Sequence, residues 1–175
     1  LVKRCINMFP KTLFLLADPS EEMLDEAKKK LAGYGAERVQ FLEPVETQNI
    51  SLRPDLQPDV ITAIQSHHYL IPSERKIATK VCYDALNAGG IFISFENTRP
   101  FTEKGIEIGK KNWGSYQLSK GKSEEQVRKH MERFGTEYFP ITVEEHLSLY
   151  RECGFKTVEL LWFSYMQAGF YCIKS

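Results

Sequence analysis

In the stretch LFLLADPSEEML, residues 13–24, a short apolar run stops at one acidic residue, Asp18, and a helix begins at once. A carboxylate at the carboxyl end of a buried strand can accept two hydrogen bonds from the vicinal hydroxyls of a ribose, so this spacing points to a nucleotide-like cofactor. An Asp or Ser ahead of a helix is also an ordinary N-cap, and Asp18 alone leaves both roles open. Three further polar clusters follow apolar runs in the same way: residues 43–46, residues 65–69 (QSHHY) and residues 96–99 (ENTR). In an open α/β sheet, ligands bind beyond the carboxyl ends of the strands, which would make these clusters neighbours of Asp18 and Pro19. His67 is the candidate general base, although a His at a strand end more often packs or hydrogen-bonds. His130 and His146, on predicted helices, read as surface or capping residues. No residue is assigned as catalytic.

The elements that must position these groups follow from the apolar periodicity. LVKRCINMFP reads as the end of an amphipathic helix with Val2, Ile6 and Phe9 on one face, so a preceding segment is expected. Residues 13–17 form a strand and residues 20–31 a helix with Met23, Leu24, Ala27 and Leu31 inward. Its acidic first turn and its lysine-rich last turn suit the helix dipole. Residues 38–42 are a second strand, stopped by Pro44. DVITAIQ, residues 59–65, is apolar without alternation, as suits a strand covered on both faces. Residues 73–87 are helical (Ile77, Val81, Leu86), and Gly89-Gly90 precedes a strand at 91–95. A charged helical excursion, about 97–140, carries Trp113, Tyr116, Tyr138 and Phe139 as a lid-like insertion. A helix at 143–153 leads through Gly154 to two antiparallel strands, TVELLWF and GFYCIK. Strand and helix alternate with short links, which predicts an α/β fold with a doubly wound, mostly parallel sheet and an antiparallel C-terminal hairpin.

Composition narrows the function classes. The 175 residues suit a single domain, 1–175, and a chain of that length buries roughly 70% of its extended surface. Lys plus Arg and Asp plus Glu each number 23, so no net field draws the whole molecule to nucleic acid. Residues 99–133 hold nine basic and five acidic side chains, a local patch that RNA could use and that a solvated helical face explains as well. RNA therefore ranks below a small molecule as partner. Cys5, Cys82, Cys153 and Cys172 lack metal spacing and read as buried reduced thiols. No apolar run approaches the roughly 20 residues of a membrane span, and no signal peptide is evident, so the cytoplasm is the expected location.

DVITAIQSHHYL, followed by a helix and ALNAGGIFIS, resembles the class I methyltransferases that depend on S-adenosylmethionine, matching their fourth motif and the L-x-x-G-G-x-hydrophobic element before the fifth strand. The resemblance runs from Leu13 to the end and implies a Rossmann-like fold with S-adenosylmethionine as cofactor. It implies that Asp18 binds the ribose, that Pro19 and Met23 border the adenine, and that Gln65, Ser66 and His67 line the methionine end. Val45 falls where many relatives carry an Asp that receives the adenine amine, leaving Glu46 or a backbone carbonyl as substitute. Arg99, Trp113, Tyr116 and Trp162 are the candidate acceptor-binding residues, an aromatic lid being able to exclude water around an apolar or planar substrate.

VEEHLSLYRECGFKTVELLWFSYMQAGFYCIK resembles the branch containing the tRNA wobble-uridine carboxymethyltransferases, which use carboxy-S-adenosylmethionine and hold its extra carboxylate with an Arg of the excursion. An ungapped alignment places Met131 there, between Arg128 and Arg133. A Met cannot pair a carboxylate, which favours plain methyl transfer to a small molecule over carboxymethyl transfer to tRNA. The family's glycine-rich first motif, and the central first strand that leads into it, are absent. In the strand order 3-2-1-4-5 that omission leaves two unpaired edges, at a cost of about 1–3 kcal/mol for each unmade buried hydrogen bond. Such a sheet is not expected to survive intact, and the sequence is expected to be part of a longer chain or to have the gap filled by another segment. The competing class is a non-catalytic interaction domain that has lost cofactor binding. The methyl acceptor and the oligomeric state stay open.

Overall fold

Arg38 ties together the first of the two units into which the chain divides, Leu1–Ser51 and Leu52–Ser175, in a computed structural model that describes residues 1–53 and 55–175. Its guanidinium donates to three carbonyls, Ile6 (2.9 Å) and Phe9 (2.9 Å) from Nη2 and Thr12 (3.0 Å) from Nε. Those bonds carry the chain from helix α1 (Val2–Cys5) into strand β1 (Phe14–Leu16). Helix α2 (Glu21–Leu31) follows, capped by Ser20, whose hydroxyl accepts from Met23 N at 3.3 Å. Strand β2 (Val39–Phe41) pairs parallel with β1, Phe14 opposite Val39 and Leu16 opposite Phe41. Ile6, Leu31 and Val39 form the buried core of this unit, with Val2, Phe14, Leu16, Tyr34 and Phe41 packed against them.

The second unit is built on a four-stranded sheet in the order β3-β4-β6-β5. Strands β3 (Val60–Ile64) and β4 (Ile91–Asn97) run parallel. Strand β6 (Gln167–Ile173) is antiparallel to both β4 and β5 (Thr157–Ser164), so the returning last strand lies inside the sheet and β5 forms its edge. The sheet is therefore mixed. A two-residue turn joins β5 to β6, with Tyr165 held at φ +54°. Among the described residues β1 pairs only with β2, and β3 only with β4, so each presents one edge without a ladder partner. The described strands thus form two sheets, one in each unit.

Helices α3 (Pro72–Ala85) and α6 (Val143–Glu152) accompany this sheet. Its core joins Phe92, Tyr150, Phe155, Phe170 and Cys172, with Phe92 stacked on Phe155 at 5.7 Å and meeting Tyr150 edge-on at 5.8 Å. The buried stripe of α3 differs from the one expected. Arg75, Ala78, Thr79 and Cys82 face inward, whereas Ile77 is 53% exposed. The reason is electrostatic, since the Arg75 guanidinium is needed by the carbonyls of the preceding loop, and its position fixes the rotation of the helix.

The excursion is two helices, α4 (Glu103–Ser119), capped by Thr102, and α5 (Glu124–Glu132), opened by a Ser123–Gln126 capping box. Its base is closed by a bridge between Thr98 and Ile141 and by Arg99 N donating to Ile141 O at 2.9 Å. Gly109 lets α4 approach the β5–β6 turn, because a Cβ there would come within 2.6 Å of Met166 Sδ. No helix among the described residues is long and apolar enough to cross a membrane.

Truncating Phe92 to Ala should cost about 3–5 kcal/mol, while Ile77→Ala on the outer face of α3 should stay within about 0.5 kcal/mol. Urea unfolding of the two variants distinguishes this packing from one in which Ile77 points inward.

Candidate active site

In the first unit the sequence-predicted residues gather at the carboxyl ends of β1 and β2. Asp18 is half-buried. Its Oδ1 accepts from Ser20 N at 2.9 Å, and its backbone oxygen accepts from Val45 N at 3.2 Å. One carboxylate oxygen of Asp18 thus serves the start of α2, and the main chain of Val45 is fastened beside it. Pro19 and Glu46 are exposed, Met23 is 58% exposed, and Val45 is half-buried. Glu46 Oε2 accepts from Gln48 Nε2 at 2.9 Å.

In the second unit the carboxyl ends of β3 and β4 meet around residues 65–70. Gln65 leaves β3 with φ +55°, a left-handed conformation rare for a side-chain-bearing residue, and its amide is held by Phe95 O at 2.7 Å. Gln65 and Ser66 are exposed. His67 and His68 then turn into the core, and both of their amides point at one carboxylate. Glu96 Oε1 accepts from His67 N (3.3 Å) and from Ser94 Oγ (2.9 Å). Its Oε2 accepts from His68 N (3.0 Å) and His68 Nδ1 (2.8 Å). Burial alone would raise the Glu96 carboxyl, but the His68 bond and the rings of His67, His68 and His146 hold it below the ordinary carboxylate value.

The carbonyls of the same loop go to Arg75, itself 1% exposed. Its Nε donates to His67 O at 2.9 Å, and its Nη2 to Leu70 O at 2.9 Å, to Phe139 O, and more distantly to His68 O at 3.4 Å. Phe139 N returns a bond to His68 O at 2.7 Å, which fastens the end of the excursion to the loop. His68 continues outward. With Nδ1–H given to Glu96, its Nε2 accepts from Asn97 Nδ2 at 3.2 Å, and Asn97 Oδ1 accepts from Gln167 Nε2 at 3.1 Å.

His67 takes the packing role rather than an open general-base position, and His146 departs from the surface setting expected of it. His67 is 3% exposed and stacks on Phe92 at 6.1 Å, and burial lowers its pKa. Its Nε2 has no hydrogen-bond partner among the described residues. His146 is a core residue, 1% exposed, with Nδ1 3.2 Å from Tyr150 OH and a pKa pushed down to about 4, chiefly by burial. His130 lies edge-on to Trp113 at 4.6 Å.

The candidate acceptor residues separate. Trp113 joins His130, Phe134 and Tyr138 in an aromatic cluster that reaches His68 and Tyr69 through Tyr138. Tyr116 is 60% exposed beneath Lys120. Trp162 packs on Phe95 at 5.6 Å, on the sheet face that strand alternation turns away from Ser94 and Glu96. Arg99 pairs with Glu145 at 3.3 Å. Of the excursion's candidate cations, Arg128 pairs outward with Glu132, whereas Arg133 lies over Tyr138 at 6.0 Å and is paired with Glu137.

Glu96, within the strand-end cluster at 96–99, and Arg75, which the apolar patterns did not single out, are the two charged side chains that fasten this loop. Glu96 shares the core-facing parity of Phe92 and Ser94 along β4, and Arg75 shares a helical stripe with Ala78, Thr79 and Cys82. A charged residue at a core-facing position is the signal that identifies each.

Residues 1–92 match the profile of a family described as a methyltransferase domain, and the chain belongs to that family. It is 30% identical over 146 residues to a protein of Campylobacter lari named carboxy-S-adenosyl-L-methionine synthase, covering 81% of this chain and 58% of that one. The chain thus spans about three-fifths of the length of that relative. Among solved structures, human N-acetylserotonin methyltransferase in complex with SAM shares the fold at a TM-score of 0.66 and 16% identity, covering 99% of this chain and 44% of that one. An O-methyltransferase family 2 protein of Planctomyces limnophilus in complex with apigenin shares it at 0.68 and 14%, covering 97% and 45%.

His146 makes the acid limb of stability testable. The folded state keeps its ring neutral down to about 4, whereas the unfolded chain takes a proton near 6.5. The unfolded state therefore binds more protons between those values, and stability falls as pH drops from 6.5 to about 4 before levelling. His146→Phe should flatten that part of the stability curve in urea titrations at several pH values; an unchanged slope contradicts the assignment.

Proposed function

We propose that the protein transfers a methyl group from S-adenosylmethionine to a small-molecule acceptor. The observation that carries this reading is the backbone of residues 65–67, turned out of β3 by the left-handed Gln65 and fixed from both sides by Glu96 and Arg75. Strained backbone of this kind is retained where surrounding structure over-determines it, which is characteristic of ligand-binding segments. The family supports the reading, as does the shared fold of the human N-acetylserotonin methyltransferase that binds SAM.

Within each unit, taken by itself, the residues present suit their part of such a cofactor. Asp18 offers a half-buried carboxylate at a strand end, the Val45 main chain stands beside it, and Gln65 and Ser66 present exposed polar groups. In this reading Asp18 binds the ribose, Pro19, Met23, Val45 and Glu46 border the adenine, and Gln65, Ser66 and His67 hold the methionine end. The cofactor supplies an electrophilic methyl on a sulfonium. Transfer is an in-line displacement that discharges the sulfonium, so the protein's part is alignment and exclusion of water. His67 acts through its backbone and its packing, since its ring is buried and stacked on Phe92. Trp113 and Tyr138 form the aromatic side of the acceptor site, and Arg99, Tyr116 and Trp162 stay candidates for its outer parts.

A small acceptor is favoured over RNA because the basic excess of the excursion is largely engaged. Arg99, Lys104, Arg128, Lys129 and Arg133 pair with carboxylates. Lys110 and Lys120 lie over aromatic rings, and Lys122 donates to Gln117. A second reading, use of a carboxylated S-adenosylmethionine, is favoured by the name of the Campylobacter relative and by the place of Arg133 over Tyr138.

Calorimetry of the purified protein should show S-adenosylmethionine binding, weakened about tenfold or more by Asp18→Ala, a loss of about 1.4 kcal/mol. Absence of binding at millimolar ligand ends the reading. Mass spectrometry of copurified cofactor separates the two donors, with a carboxylated species supporting the second.

A further inference from the structure

Two buried charges of opposite sign lie near residues 65–70, and among the described residues they make no ion pair with each other. A buried guanidinium and a buried carboxylate satisfy one another most directly by pairing. Here each is directed to the main chain of one short segment. Glu96 receives the two histidine amides, the His68 ring and the Ser94 hydroxyl, four donors for the roughly four lone-pair directions that a carboxylate offers. Arg75 donates to the carbonyls of His67, His68 and Leu70, and to that of Phe139 from the end of the excursion. The amide side and the carbonyl side of one loop are thus held by charges of complementary sign. The strained Gln65 lies immediately before the clamped residues.

We propose that Glu96 and Arg75 act together as positioning residues for the backbone of residues 65–67, and that through Phe139 they couple the setting of this backbone to the seating of the helical excursion. This role rests on the methyl-transfer reading, in which that backbone borders the methionine end of the cofactor. Neither side chain touches the reacting atoms in this scheme. Glu96 acts through the amides of His67 and His68, and Arg75 through their carbonyls. Binding energy from the donor and closure of the excursion around the acceptor would then depend on one shared fastening. The clamp also leaves a spectroscopic mark. The order of donors from Gln167 through Asn97 to His68 puts the His68 ring proton on Nδ1 against Glu96, with Nε2 accepting from Asn97, in this proposal.

The test combines nitrogen-15 NMR of the histidine rings and amides with calorimetry of S-adenosylmethionine on the same protein. In the wild type the His68 ring is expected as the Nδ1–H tautomer, and the His67 and His68 amides are expected to exchange slowly. Glu96→Gln should abolish that tautomer preference and speed exchange of both amides. It should also weaken S-adenosylmethionine binding about tenfold or more, as misplacement of a binding segment does. Glu144→Gln, on exposed α6 surface, should change none of these. If Glu96→Gln does not fold, Arg75→Lys keeps the charge without the planar fork; it is expected to weaken binding while leaving the His68 tautomer as in the wild type. Binding within twofold of wild type in a folded Glu96→Gln or Arg75→Lys overturns the proposal, as do freely exchanging His67 and His68 amides in the wild type. A wild type with protected amides and the Nδ1–H tautomer but no S-adenosylmethionine binding removes the positioning role together with the methyl-transfer reading, leaving a clamp of structural use alone.

Discussion

A carboxylate sealed from water, with three of its four donors supplied by one loop and the fourth by Ser94 of its own strand, is the constraint on which the second unit depends. Desolvating Glu96 is costly, and truncating one partner of such a buried network typically costs several kcal/mol because the remaining charge is stranded. The strand must therefore deliver Glu96 to the place where the His67 and His68 amides arrive, and helix α3 must rotate Arg75 toward their carbonyls. This accounts for three otherwise separate facts: the inward stripe of α3 built on a charged residue, the turn of two histidines into the core, and the anchoring of the excursion at Phe139. Apolar packing around Phe92 supplies the bulk of the stabilisation, and the polar clamp selects one arrangement of the loop.

The sheets carry a second constraint of a different kind. β3 is apolar along its length, in the manner of a strand covered on both faces, yet Val60 is 51% and Ile64 38% exposed. β1 is likewise apolar and, among the described residues, pairs on one side only. Unpaired edges of this sort accept another strand readily. At the other end of the sheet, the bulge between Leu160 and Trp162 interrupts the ladder on β5 and makes that edge a poorer template for pairing.

Most elements were legible because their signals are local. Apolar runs, caps and glycine stops placed β1 to β4, α2, α3, α6 and the closing hairpin to within a few residues. The insertion of β6 between β4 and β5 was not legible, since pairing between distant strands leaves no mark on either one alone. Residues 65–67 were found from their position at a strand end, which is a local property. Glu96 was found by the same strand-end position, but not its clamp on the histidine amides, and Arg75 was missed, because their partners lie far along the chain and a charged side chain in an isolated pattern reads as solvated. His146 was misplaced for the same reason: an imidazole among Glu144, Glu145 and Ser148 looks like a surface group until Tyr150 and Phe170 close over it.

The most direct measurement is a high-resolution crystal structure of the protein grown with S-adenosylhomocysteine. The account predicts the amino-acid moiety of the ligand against the main chain of residues 65–67, with Gln65 left-handed, Glu96 accepting from the His67 and His68 amides, and Arg75 on their carbonyls. A ligand bound elsewhere, or a Glu96 carboxylate turned away from those amides while the ligand is in place, would contradict it.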